Sequence, residues 1–184
     1  VASAMRTKGG REMQKAIKWV ALAAVGAMAA GCSGPAADAP DPVVAEMRDR
    51  IQIEELLWRY ARTLDSADAD GYVAVFTEDG TFDAGGMRME GRQALHEFVA
   101  NLKKSREERV AKGEPPGGTL HMTANHHIEF TGPDSATVHS YWVTMFPPSG
   151  QNPVRVGAVG RAEDKLVRVD GRWLIKVRNV APQD

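Results

Sequence analysis

The sequence predicts an α+β domain, with helices packed on one face of an antiparallel sheet. Three observations carry this. Apolar residues recur at three- and four-residue spacings in two stretches, over residues 43–64 and again from about residue 91. Through most of residues 119–180 they alternate with period two instead. Between the two regimes, Gly113-Glu-Pro-Pro-Gly-Gly118 breaks the chain.

Each element has its own signal. Val44, Met47, Ile51, Leu57, Trp58, Ala61 and Leu64 form one helical stripe, and Pro42 suits the first position of that helix. The helix ends near Asp65-Ser66. Asp70 to Phe76 reads as a second, short helix with Val73 and Phe76 inward. Gly80 to Asp83 reads as a short strand, and Gly85-Gly86 as a turn into Met87-Arg88-Met89. A third helix starts around Gly91-Arg92 with the stripe Leu95, Phe98, Val99 and Leu102; Lys103, Lys104 and Arg106 complement the negative end of its dipole. A strand over 119–130 sets Leu120, Met122, Ala124, Ile128 and Phe130 against His121, Thr123, Asn125, His127 and Glu129. Strands over 135–146, 154–169 and 172–180 complete a four-strand meander, the last two joined at Asp170-Gly171.

Ahead of the domain, Lys15 and Lys18 precede an uncharged run from Trp19 to Ala30, which leads through Gly31 to Cys32. Twelve helical residues rise about 18 Å, short of the ~30 Å hydrocarbon core, so the run fits a secretory signal rather than a membrane span. The Ala-Ala-Gly-Cys ending resembles a bacterial lipobox, which implies a lipid on Cys32 and an address in the cell envelope, at the outer membrane facing the periplasm. Ordinary cleavage near Ala29 or Gly31 is the alternative. Residues 33–42 are small, Pro-rich and acidic, as a disordered tether would be. Residues 1–32 therefore read as an N-terminal extension and signal peptide, and 43–182 as one folded domain.

Composition narrows the function. Of 184 residues, 43% are hydrophobic and 26% charged, ordinary for one cored domain. The net charge of −1 gives no polyanion-binding surface, so no nucleic-acid partner is expected. Cys32 is the single cysteine, which excludes an internal disulfide framework and any multi-cysteine metal site.

The order helix, short helix, hairpin, helix and curved meander resembles the nuclear transport factor 2-like cone, and more closely its SnoaL-like branch. The residues carrying the match are Ile53-x-x-Leu56-x-x-x-Tyr60-Ala61-x-x-x-Asp65, then Phe76-Thr-Glu-Asp79-Gly and Gly91-Arg92-x-x-Leu95. They continue with His121-x-x-x-Asn125, Gly160-Arg161-x-x-Asp164-x-x-x-Arg168 and Asp170-Gly171-x-Trp173-x-Ile175. The resemblance implies a curved sheet wrapped around helices, an α+β barrel-like cone with an internal pocket. Such cones host dehydratases, dehydrochlorinases, isomerases, epoxide hydrolases, polyketide cyclases and non-catalytic binders, so fold alone does not settle function.

In the dehydratase and dehydrochlorinase relatives, an Asp at the helix end and a His on the first long strand form a dyad. Asp65 and His121 fill those positions. A carboxylate on one imidazole nitrogen fixes the tautomer and leaves the other nitrogen as a base for elimination or isomerisation. The relatives' dehydratases need no metal or organic cofactor. Read without the resemblance, Asp65 is equally a solvated turn carboxylate, and the His121 face equally a solvent face. Tyr60, Trp58, Tyr141, Trp142 and Phe146 are candidates to line an apolar pocket; Asn125, on the His121 parity, is a candidate to orient a substrate oxygen. His121 and His127 are too far apart on one strand to share an ion. A His126/His139 or His127/His139 contact is conceivable, but no metal site is expected. The expected partners are a small apolar molecule, a membrane only through the N-terminal lipid, and a second copy of the chain. That homodimer would pair through the open sheet face, where Val143, Val156 or Val177 would be apolar without reason otherwise. Two functions follow: a cofactor-independent lyase or isomerase, or a non-catalytic module of the envelope that binds a hydrophobic ligand.

Overall fold

The computed structural model describes residues 41–183. The expected signal peptide, most of the tether and Cys32 lie outside the described residues.

Helix α1 (Pro42–Ser66) begins where the Asp41 carboxylate accepts the Val43 N–H at 2.8 Å and Pro42 supplies a pre-set φ. It ends at Ala67, whose left-handed φ of 54° turns the chain. Its buried stripe is Ile53, Leu56, Leu57, Tyr60, Ala61 and Leu64. The expected stripe is out of phase over the first turns, where Val44, Met47 and Ile51 are exposed, and again at Trp58 in the fifth turn. Helix α2 (Ala69–Val73) is capped by Asp68, which accepts the Gly71 N–H at 3.0 Å. It stops before Phe76, which instead opens strand β1 (Phe76–Asp83). Strand β2 (Arg88–Glu90) and helix α3 (Gly91–Ala111) follow, with Leu95 and Val99 buried as their spacing predicts.

Strands β3 (Leu120–Gly132), β4 (Ser135–Phe146), β5 (Arg155–Val169) and β6 (Arg172–Asn179) form the expected meander. The β1–β2 hairpin joins the same sheet, whose order is β2-β1-β6-β5-β4-β3. β1 runs parallel to β6 and every other pairing is antiparallel. The sheet curves without closing. On its inner face α1 packs on β3 and β6 and α3 packs on β1, which makes the cone. The core joins the helix stripes to Phe76, Phe82, Ile128, Val138, Leu166, Trp173 and Ile175.

One irregularity decides which side chains reach the interior. Ala124 pairs with Tyr141 and His127 with His139, so β3 carries one extra residue in this interval. Asn125 takes the strain in the left-handed region at φ 55°, which asparagine tolerates. The bulge inverts the parity of the strand. Before it His121 and Thr123 face inward and Leu120 and Met122 are exposed; beyond it Ile128 and Phe130 face inward and His127 is exposed. The uninterrupted period of two expected for 119–130 does not hold.

Candidate functional site

The cone encloses a cavity of about 320 Å³, at the small end of the ~300–1,000 Å³ range for small-molecule sites. α1 supplies Tyr60 and Leu64, β1 Phe82, α3 Phe98, and β3 His121 and Thr123. β4 and β5 supply Trp142, Thr144, Phe146, Gly157 and Ala158, and Arg178 and Val180 close the wall.

Asp65 and His121 meet at that wall. His121 Nδ1 lies 2.6 Å from Asp65 Oδ1, and the His121 backbone N–H is shared between the two carboxylate oxygens at 3.1 Å each. Asp65 lies in the last turn of α1, and β3 is the edge strand, so the carboxylate caps an edge amide that no neighbouring strand can reach. Arg106 of α3 donates to the Asp65 carbonyl at 2.7 Å and fixes the helix end. The Asp65 side chain is only 7% exposed, so the solvated turn carboxylate is excluded. With Nδ1 engaged, Nε2 is the ring nitrogen left for a ligand.

A buried ion pair lies beneath. Arg178 Nη1 donates to Asp164 Oδ2 at 2.5 Å, and both residues are fully buried. The guanidinium stacks on the Tyr60 ring at 4.2 Å. Burial pushes the Asp164 carboxyl up to about 6, against the pull of Arg178. Burial also raises Tyr60, with Arg178 opposing, so its phenol stays protonated at neutral pH. Arg178 Nε and Asp164 Oδ1 have no hydrogen-bond partner among the described residues. Arg178 therefore stands in the cavity wall as a buried cation paired to Asp164, among a mostly apolar lining that also includes His121, Thr123 and Thr144.

Two aromatic rings owe their pose to glycine. A Cβ on Gly157 would sit 2.5 Å from Phe146 Cε2, and one on Gly160 2.6 Å from Trp142 Cζ2. The rings therefore lie flat against β5. Trp142 Nε1 donates to the carbonyls of Arg161 and Val180 at 3.0 Å each, which holds the indole there.

Of the expected site residues, Asp65, His121 and Tyr60 come together, and Trp142 and Phe146 line the cavity. Three do not. Asn125 sits in the bulge and is exposed, because the extra residue breaks the parity that put it beside His121. Tyr141, 56% exposed, is on the outer face of β4, one residue from the inward Trp142. Trp58, 59% exposed, is in neither the core nor the cavity. His127 and His139 do pair across β3 and β4, ring centroids 6.4 Å apart, but on the outer face, and His127 Nε2 meets Glu129 at 2.9 Å. Among the described residues no three His, Cys, Asp or Glu side chains converge on a point. Arg178 was missed: counted from Trp173 and Ile175, its parity is outward, and a register irregularity in β6 turns it in. Its signal was Asp164, which shares the inward parity of Ala162 and Leu166 and so calls for a buried cation.

Comparison with known proteins agrees with this architecture. No curated protein matches the chain. Among solved structures, Rv3472 from Mycobacterium tuberculosis, described as of unknown function, is 26% identical, with a TM-score of 0.65 over 78% of this chain and 76% of its own. A nuclear transport factor 2-like protein with a cystatin-like fold from Novosphingobium aromaticivorans is 22% identical, with a TM-score of 0.62 over 81% and 93%. A candidate scytalone dehydratase from the same organism is 24% identical, with a TM-score of 0.59 over 74% and 85%. The last two share the fold. A model of the SnoaL-like domain matches residues 45–179, nearly all of the described domain, and the chain belongs to that family.

Proposed function

We propose that the domain is a cofactor-independent lyase or isomerase of the dehydratase type. Its substrate is a small, mostly apolar, cyclic or oxygenated molecule. The observation that carries this is the Asp65–His121 contact of 2.6 Å at the wall of a cavity that also holds the Arg178 guanidinium. His121 Nε2 takes a proton from the carbon beside a carbonyl, and Asp65 balances the imidazolium. The C–H electrons form the new double bond as the β C–O bond breaks. The leaving oxygen takes the proton back from Nε2, so water departs and the imidazole is restored. Arg178 stabilises the negative charge that grows on the carbonyl oxygen. Resemblance to a candidate scytalone dehydratase supports a dehydration of this kind.

A second reading rests on the same pair. Asp65 also caps the β3 edge, so the contact serves structure as well, and the cavity would then only bind. A panel of cyclic β-hydroxy ketones, followed by enone absorbance, separates the two. The lyase reading expects His121→Ala to lose ~10²–10⁴-fold in turnover with its melting temperature kept. Binding without turnover by the wild type would establish the binding module instead.

We further propose that the chain is lipid-anchored in the bacterial envelope through Cys32. The charged n-region, the apolar run and the Ala-Ala-Gly-Cys ending support this. Detergent-phase partitioning that is lost in Cys32→Ser would bear it out, and partitioning unchanged by that substitution would refute it.

A further inference from the structure

The inner face of β3 and β4 sets a small polar tile into the cavity wall. His121 stands directly across from Thr144, and Thr123 across from Trp142, before the bulge disturbs the register. All of these residues line the cavity. Side chains opposed in this way lie about 4.5–5.5 Å apart at Cβ, so a ligand atom held by Thr144 is within reach of the His121 ring. The other neighbours of Thr144 on this face are Ala158, across from it on β5, and Trp142 and Phe146, two residues away on β4. None of the three offers a free polar atom, because the Trp142 indole N–H is committed to two backbone carbonyls.

Much of the remaining polar lining is already engaged. Asp65 holds His121 at Nδ1, Arg178 is paired to Asp164, and the Arg178 guanidinium covers the Tyr60 ring. Thr123 and Thr144 differ. Neither hydroxyl has a hydrogen-bond partner among the described residues, and neither is among the polar atoms that the protein covers completely. A hydroxyl both donates and accepts, so it satisfies an alcohol oxygen in either sense. A wholly apolar molecule filling the cavity would strip these threonines of water and give nothing back. A ligand hydroxyl at Thr144 replaces the lost hydrogen bond. Leu64, Phe82, Phe98 and Phe146 suit an apolar body for the rest of that ligand.

We infer that Thr144, supported by Thr123, is the specificity residue of the cavity: it selects ligands that carry a hydroxyl group and holds that oxygen beside the His121 ring. It takes the place expected of Asn125, which is exposed at the bulge. Selection of a hydroxyl stands on the cavity alone, whereas the identity of that hydroxyl as the leaving group rests on the dehydratase reading.

The test compares 1-indanol with 1-methylindane, in which a methyl group replaces the hydroxyl. Neither carries the carbonyl that the proposed elimination needs, so binding is read without turnover. Titration of the ¹⁵N-labelled protein follows the Trp142 indole N–H signal, identified by its loss in Trp142→Phe. Each ligand is compared across variants, so the difference in the ligands' own hydration cancels. Thr144→Val keeps the shape and the strand preference of threonine and removes only the hydroxyl, and thermal melts verify the fold. It is expected to weaken 1-indanol about tenfold without weakening 1-methylindane, and Thr144→Ser to keep the wild-type affinity for 1-indanol. Thr144→Val is also expected to lower kcat/KM for cyclic β-hydroxy ketones about tenfold. A Thr144→Val variant that weakens both probes alike, or neither, overturns the inference, as does a wild type that binds neither. A wild type that turns over no hydroxy ketone while the selection for 1-indanol holds defeats the dehydratase reading and bears out the hydroxyl site.

Discussion

Asp65 grips His121 from two sides, taking the ring at Nδ1 and the backbone amide with the same carboxylate. Orientation of the imidazole and closure of the strand edge are thus one interaction. Asparagine keeps an acceptor for the amide but removes the charge, whereas alanine removes both. Asp65→Asn is expected to keep its melting temperature and lose turnover, on the order of 10²–10⁴-fold. Asp65→Ala is expected to lose the same turnover and a further ~1–3 kcal/mol of stability from the orphaned amide. Paired thermal melts and turnover assays of the two variants check this.

Asp164 and Arg178 are both buried, so neither charge can be left alone. Arg178→Met is expected to cost ~3–5 kcal/mol by stranding Asp164, and the double variant with Asp164→Leu less than the sum of the singles. Urea denaturation of the four proteins measures the coupling. Additive losses would mean that the two groups stand independently.

The same carboxyl sets a pH dependence. Its native pKa of about 6 lies above the ordinary value of 3.8, so between these pH values the native state binds more protons than the unfolded chain. Stability from this group is complete below about pH 4 and is lost as pH rises through about 6. The difference is on the order of 3 kcal/mol. Denaturation midpoints from pH 4 to 7 are expected to show this slope in the wild type and to lose it in Asp164→Asn.

Glycines set the width of the cavity. A methyl group at Gly157 or Gly160 drives Phe146 or Trp142 off β5 and into the cavity space. Gly157→Ala and Gly160→Ala are expected to destabilise by ~1–3 kcal/mol and to exclude ligands that the wild type admits. Calorimetric titration with a series of cyclic ketones of increasing ring size reads the change.

The outer sheet face bears on assembly. Leu120, Met122, Tyr141, Val156 and Val159 are all exposed, and the strand register sets them beside Val143 and Met145 in one apolar patch. We propose that a second copy covers it. Sedimentation at rising concentration is expected to show a dimer that Val159→Glu breaks. A wild type that stays monomeric at high concentration would refute the pairing.

What could be read beforehand was whatever local periodicity encodes. The order of elements, the α3 stripe and the meander all follow from apolar spacing and from turn residues such as Asp170-Gly171. Parity along a strand was legible only until a bulge reset it, at Asn125 and again in β6. For that reason Asn125 was placed inside and Arg178 was not placed at all. The parallel pairing of β1 with β6 joins segments about a hundred residues apart, and no local pattern specifies such a partner. Asp65 and His121 were found through resemblance, because nothing in their own neighbourhoods marks either one.

That long-range pairing has a consequence for how the molecule is made. Among the described strands β6 is made last, yet it sits between β1 and β5 in the middle of the sheet. Until it emerges, the β1–β2 hairpin and the β3–β4–β5 ladder have no strand between them and meet only through the helices. Arg178 arrives on the bridging strand itself, opposite an Asp164 that has been waiting for its counter-charge. The cavity therefore comes into being only once β6 has joined the sheet, and a chain stopped before β6 has neither a joined sheet nor Arg178 in the cavity wall.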